Sequence, residues 1–238
     1  MDIRENLKVP EKQYWPEVRW WLAEGFHTDE TLKREIQDLD ETGFGAIEFL
    51  AMEEPGCDSA LYGWGAEEWV HDSHTIVEET TKRGMGVSMT SGTNWSNANL
   101  TNITPDDKAA AKELDYALEI LKAGQTRSGN ILESELTMPN VTKQDLVAVV
   151  AIRLIGEKEG KTYLDKDSAV VLTEQVKDGT LTWTAPKDGE YLVFFFWIHG
   201  TGQTAEPSMS TSYTINYIDR YGVEAFIDYW ESTVLTPE

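Results

Sequence analysis

The sequence predicts an α/β unit joined to a β unit: a partial (β/α) barrel-type arrangement of about three parallel strands, an antiparallel β-sandwich of jelly-roll-like kind, and a closing helix. Three observations carry this expectation. Between residues 17 and 122, short apolar runs alternate with stretches of helical periodicity, the pattern of parallel βα units. From Gly124 onward, closely spaced apolar runs are separated by turn signals, the pattern of an antiparallel sandwich. Tyr217–Trp230 then returns to helical spacing. The expected divisions are 1–123, 124–213 and 214–238.

Residues 1–16 are polar, carry Pro10 and Pro16, and read as a lead-in arm. Glu17–Leu22 (EVRWWL) reads as the first strand. Thr28 is a helix N-cap residue, and Asp29 and Glu30 complement the helix dipole behind it. Leu32, Ile36 and Leu39 give that helix one apolar face, and Gly43 stops it. Gly45–Met52 is a nearly continuous apolar run, as in a strand buried on both faces. After a loop with Pro55, Gly56, Gly63 and Gly65, residues 66–83 read as a helix with Trp69, Ile76 and Val77 inward, stopped by Gly84. Gly86–Ser91 is the third strand. Thr104-Pro105-Asp106-Asp107 reads as a helix start, with a third helix running to about Lys122 and Leu114, Leu118 and Leu121 inward.

In the second unit, 125–142 reads as irregular and Leu146–Ile155 as a strand turned by Glu157-Lys158-Glu159-Gly160. Ala169–Val176 is a further strand, followed by the turn signal Asp178-Gly179. Leu181, Trp183 and Ala185 alternate with threonines, and Val193, Phe195, Trp197 and His199 share one face of an aromatic strand over 190–199. The closing helix is expected to turn Ile218, Tyr221, Ala225, Phe226 and Tyr229 inward.

The charge balance of 238 residues is −22, which disfavours nucleic acid and anionic membranes as partners. The single cysteine, Cys57, rules out an intrachain disulfide. No apolar run reaches the length of a membrane span, and the first residues lack the apolar core of a signal peptide, so a cytoplasmic, soluble chain is expected. There is no nucleotide-binding glycine fingerprint, phosphate loop, serine elbow or paired-cysteine metal motif. Dehydrogenase, kinase and serine esterase chemistry are disfavoured accordingly.

In parallel βα units a site forms at the C-terminal ends of the strands. Three loops reach that end. Ala23–His27 carries Glu24 and His27, residues 53–65 carry Tyr62 and Trp64, and residues 91–104 carry Asn94, Trp95, Asn97 and Asn99. Indole faces among amides and hydroxyls suit a sugar: the ring covers an apolar pyranose face and amides both donate and accept. A solvated turn around a packed tryptophan is the competing reading. Trp20 and Trp21 point to opposite faces of their strand, so one is core and the other a candidate platform. Glycoside hydrolysis needs two carboxyls, and Glu24, Glu48, Glu53 and Glu206 are the candidates here. Glu48, inside the second strand, is alternatively half of a structural ion pair. His71 and His74 stand three apart on a helix, a chelating spacing without an evident third ligand, so a solvated face is expected and no metal site is assigned. His199 ends its strand either near the site or as a packed, hydrogen-bonded histidine.

Four stretches, in order, resemble the N-terminal part of glycoside hydrolase family 106, the α-L-rhamnosidase type. They are Arg19-Trp20-Trp21-Leu22 with Gly25, Thr28 and Gly43-Phe44-Gly45; Glu67-Glu68-Trp69; Arg83-Gly84-Met85-Gly86-Val87 through Gly92-Thr93-Asn94-Trp95-Ser96 and Ile103-Thr104-Pro105; and residues 172–186 with the aromatic strand ending in Gly200-Thr201-Gly202. The resemblance implies a TIM-barrel glycosidase interrupted by a β-domain, inverting and calcium-associated as a complete protein. It implies a carbohydrate ligand, a rhamnoside or related deoxy sugar, and catalytic carboxylates on strands after Glu238. Within this chain no cofactor is expected and the catalytic residues stay unassigned. The substrate-contacting set is Trp21, Glu24, His27, Glu48, Trp64, Asn94, Trp95, Asn97 and His199. A non-catalytic carbohydrate- or partner-binding module, or a truncated relic that self-associates through open sheet edges, is the alternative.

Overall fold

The computed structural model describes residues 7–23, 25–52, 56–90, 93, 99–204 and 210–235. The chain forms two compact units, one of residues 1–103 with 203–238 and one of residues 104–202.

The first unit begins with β1 (Glu17–Ala23), α1 (Asp29–Glu41) and β2 (Ala46–Met52). The Thr28 side chain accepts from the Thr31 N–H, as an N-cap should, and Gly43 leaves the helix at φ +98°. A short α2 (Ser59–Tyr62), capped by Asp58, interrupts the following loop before α3 (Glu67–Lys82) and β3 (Gly86–Met89). The three strands pair in parallel in the order β1-β2-β3, with Arg19 opposite Glu48, Trp20 opposite Phe49, and Glu48 opposite Ser88. One sheet face, with Val18, Trp20, Leu22, Ile47, Phe49, Val87 and Met89, packs on Leu32, Ile36 and Leu39 of α1 and Ile76 of α3. These two helices cover that face; on the other face of β2, Leu50 is nevertheless buried. β1 and β3 are the sheet edges, and the described residues close no barrel. The lead-in arm is pinned: Lys12 Nζ donates to Asp40 Oδ1 at 2.5 Å and to the Arg83 carbonyl at 2.7 Å. Gly45 lets this arm approach, since a Cβ there would overlap the Lys12 carbonyl and the Trp15 side chain.

β4 (Asn99–Leu100) lies within the stretch 91–104, expected to be loop throughout. The second unit then contains β5 (Lys112–Leu121), β6 (Thr126–Asn130), β7 (Gln144–Lys158), β8 (Lys161–Val171), β9 (Thr180–Thr184) and β10 (Tyr191–Gly200). A four-stranded antiparallel sheet runs β5-β10-β7-β8, and β6 pairs with β9. Leu121, Val149, Ala151, Leu172, Leu181, Ala185, Tyr191, Val193, Phe195 and Trp197 form the core. The alternation expected for Val193, Phe195, Trp197 and His199 is present, all four being buried. Buried Arg127 lies 4.9 Å above the Phe195 ring, pairs with Glu119 at 2.8 Å and donates to the carbonyls of Gly129, Asn130 and Leu181. Both expected tight turns form, with Glu159 and Gly160, and Asp178 and Gly179, at positive φ.

Several expectations are corrected. Val77, expected inward on α3, is 38% exposed because it falls outside the face of that helix carrying Trp69 and Ile76. The segment read as a third helix is a turn followed by β5. Its Leu114 and Leu118 are exposed on the sheet face opposite the core, and only Leu121 is buried. The stretch 125–142 holds a strand, β6. The strand expected to reach Val176 ends at Val171, followed by a 3-10 turn at Thr173–Gln175. On the face of the second strand away from α1 and α3, Leu50 is buried but Glu48 is partly exposed, so burial on that face is partial.

From residue 203 the chain returns to the first unit. β11 (Tyr213–Thr214) pairs with β4, and α4 (Arg220–Tyr229) starts at an Asp219 cap. Ile218 precedes that helix and is 98% exposed, and Tyr221 is exposed too, so neither faces inward. Ala225, Phe226, Tyr229 and Trp230 pack instead with Leu100, Ile215 and Trp64. Among the described residues, no helix is long and apolar enough to cross a membrane.

Candidate functional site

Parallel pairing puts the ends of β1, β2 and β3 on one side of the sheet, where the βα loops emerge. The loop leaving β1 is shaped by Gly25 at φ +77°, where a Cβ would lie 2.8 Å from Cys57 Sγ and 3.1 Å from the Tyr62 ring. Glycine alone tolerates both the backbone conformation and that approach. The turn delivers His27 toward α3. Its Nε2 donates to Asp72 Oδ2 at 2.9 Å, while Nδ1 lies 3.3 Å from the Ala23 carbonyl oxygen. The side chains of His27 and Asp72 are only 10% and 11% exposed.

One residue earlier on α3, His71 Nε2 donates to Asp29 Oδ1 at 2.9 Å, and Lys33 Nζ stands 3.5 Å from the other Asp29 oxygen. The Asp29 carboxylate raises the pKa of His71 above its ordinary 6.5, first through the hydrogen bond and then through its charge. The same hydrogen bond lowers Asp29 below the ordinary 3.8. Two histidine–aspartate pairs thus cross-link the start of α1 to the first half of α3. Gly25, Thr28, Glu30, Tyr62 and Glu68 complete a pocket of about 360 Å³ around them.

On the sheet face away from the helices, Arg19 Nε and Nη2 donate to Glu48 Oε2 and Oε1 at 2.8 and 3.0 Å, a two-pronged fork between adjacent strands. Glu48 is therefore half of an ion pair. Trp21 lies on the same face as Arg19 and is 47% exposed, whereas Trp20 enters the core. The two tryptophans separate as strand geometry requires.

Trp64 is held elsewhere in the first unit. Its Nε1–H donates to the Tyr229 hydroxyl at 2.7 Å, and its ring lies 4.7 Å from Trp69 and 6.4 Å from Trp230. It edges an apolar pocket of about 280 Å³ that includes Val70, His74, Val77 and Met89. His199 belongs to the second unit, buried, with Nδ1 2.9 Å from the Gly200 carbonyl oxygen and 3.6 Å from Glu113; its Nε2 has no partner among the described residues. Glu24, Asn94, Trp95 and Asn97, with Glu53 and Glu206, lie outside the described residues. The structure thus puts Trp21 and Glu48 on one open face and His27 in the polar pocket.

Sequence reasoning missed Asp72 as the partner of His27 and the neighbouring pair of Asp29 with His71. Asp29 had a sufficient local explanation in the helix dipole, and His71 was weighed only with His74. The usable signal was positional: a loop histidine and an aspartate at the first helix start, with a His-Asp pair early in the long helix after the next strand.

No family model matches the sequence, and no curated protein sequence matches it. Among solved structures, the chain is similar to a rhamnosidase from Novosphingobium sp. PP1Y, with a TM-score of 0.65 and 12% identity, covering 98% of this chain and 37% of that one. At that identity the likeness shows the fold alone. The chain spans just over a third of the length of the rhamnosidase it matches.

Proposed function

We propose that this chain forms part of the sugar-binding region of a rhamnosidase-like glycoside hydrolase, contributing binding surface while the catalytic carboxyl pair is supplied outside it. The observation that carries this reading is the likeness to a rhamnosidase over 98% of the chain. The open sheet face supports it, because an exposed indole beside a charged, hydrogen-bonding pair suits the apolar face and hydroxyls of a pyranose. Glu48 lies on that face in the grip of Arg19, so its role is positional, and hydrolysis needs a second carboxyl at a separation of roughly 5–9.5 Å. Trp95, Asn94 and Asn97 are proposed as further contacts on chemistry alone.

Calorimetry of this chain with L-rhamnose and methyl α-L-rhamnoside tests the reading. Saturable binding is expected, weakened about tenfold or more by Trp21→Ala and by Trp95→Ala, since stacking platforms contribute on the order of 1–2 kcal/mol. Absence of heat across a panel of deoxy sugars and hexoses sinks the carbohydrate reading. A partner-binding module is the second reading, favoured by β1 and β3 as open sheet edges. Concentration-dependent self-association in sedimentation, with no sugar binding, would select it.

A further inference from the structure

We infer that Asp29, His71 and Asp72 form a binding site for a divalent transition metal ion of zinc type, braced by His27. One ligand atom from each of the three lies within 4.8 Å of the others. They come from two elements, Asp29 from the first turn of α1 and His71 and Asp72 from α3, so an ion there would bind both helices together. Among the described residues this is the one grouping of three such donors.

The surroundings fit a cation. Four carboxylates line the pocket (Asp29, Glu30, Glu68 and Asp72) against two imidazoles, so the field inside it is negative. His27 donates to one oxygen of Asp72 and leaves that carboxylate lone pairs for an ion, an outer-shell histidine–carboxylate arrangement that orients a ligand. The near-complete burial of that pair fixes the Asp72 side chain, while His71 and Asp29, 55% and 36% exposed, can turn inward by giving up their mutual hydrogen bond and the Lys33 contact. Ligands about 2.0–2.2 Å from zinc lie roughly 3.3 Å from one another in a tetrahedral site, so binding draws the three donors together by rotation of those two side chains. Water completes the coordination through the open pocket mouth.

The donor set also selects the ion. One imidazole nitrogen with two carboxylate oxygens suits zinc, cobalt or nickel, whereas calcium takes six to eight oxygens and magnesium an octahedron of oxygens. The site is therefore chemically distinct from the calcium site expected of the complete glycosidase. It does not depend on the sugar-binding reading, because it lies between helices α1 and α3 and needs no ligand on the sheet face.

The test is calorimetry of the untagged, chelator-treated chain with zinc chloride near neutral pH, paired with thermal unfolding. One equivalent is expected to bind with a dissociation constant of ~1–10 μM, and zinc at a hundredfold excess over it should raise the melting temperature by several degrees. His71→Ala and Asp29→Asn each weaken binding at least tenfold while circular dichroism stays native, both side chains being solvent-facing. His74→Ala binds as the unmodified chain does. No heat and no thermal shift up to ~1 mM zinc overturns the inference. So does loss of binding in His74→Ala with retention in Asp29→Asn, which would mark a helix-surface chelate of His71 and His74. Tighter binding of calcium than of zinc would overturn it as well.

Discussion

Asp29 shows how a single residue can satisfy two explanations. Its place in the first turn of α1 is accounted for by the helix dipole, and nothing local announces that His71, 42 residues on, will donate to it. The placement of His27, Trp20, Trp21 and Glu48 in loop or strand was legible because each depends on a short-range rule: a loop after a strand, alternation along a strand, or a charge inside one. Their partners were not legible, since Arg19–Glu48 and His27–Asp72 are set by strand register and helix placement. Asp106 carries a residue-scale prediction. Its carboxylate accepts from the Thr142 hydroxyl and from the N–H groups of Thr142 and Lys143, and these bonds, the hydroxyl's first, hold its pKa below the ordinary 3.8. A depressed carboxylate pKa contributes stability that is fully present above the unfolded value and lost as pH falls through the folded one. Asp106→Asn should therefore lower the stability of the second unit at neutral pH, and the gap should narrow steadily below about pH 4. Denaturant titrations across that range measure it; a gap independent of pH refutes the assignment.

At the scale of elements, the stretch after Thr104 is the most instructive. Its capping chemistry is real: the Thr104 N–H and hydroxyl both donate to Asp107 Oδ2. The turn nevertheless stops by Ala110, and β5 begins two residues later. Leu114, Leu118 and Leu121 fit helical spacing, but Leu114, Tyr116, Leu118 and Ile120 also alternate with Asp115, Ala117 and Glu119, a period of two. Pairing with β10 decides between them, setting Leu118 opposite Phe194 and Tyr116 opposite Phe196. The two phenylalanine rings stack at 5.7 Å and extend an apolar surface across the sheet. The two assignments differ measurably. In the strand, Leu121→Ala empties a core position and should cost about 2–5 kcal/mol, while Leu114→Ala on the exposed face should cost under about 1 kcal/mol. A helix with all three leucines inward would give comparable losses, and urea denaturation of the two variants separates these outcomes.

For the whole molecule, the division into units follows from which contacts the chain can complete by itself. Residues 104–202 are continuous in sequence, own a core of ten buried side chains, and bring their ends together: the Thr201 N–H donates to the Ala111 carbonyl at 2.9 Å, and Gly200 sits against the Pro105 carbonyl. An inserted domain with adjacent ends and its own core is expected to fold alone. A fragment of residues 104–202 should show β-sheet circular dichroism and one cooperative thermal transition. A disordered fragment would mean that the unit depends on the remainder of the chain. The first unit is assembled from two separated segments, joined by the β4–β11 pair and by the cluster of Leu100, Ile215 and Tyr229.

By itself the sequence determined the mixed class, the three parallel strands, the Thr28 cap of α1, the glycine stops of α1 and α3, and the aromatic inward face of β10. Each of these is written in spacing, polarity or backbone permissiveness over a few residues. Only the tertiary structure decided that residues 112–121 pair as a strand, that Trp64 is bonded to Tyr229, that Glu48 is clasped by Arg19, and that two histidines and two aspartates meet between α1 and α3. Those outcomes depend on register and on the packing of helices against a sheet, which join positions tens of residues apart; local periodicity leaves them undecided, as at residues 112–121 where two periods compete, or carries no trace of them.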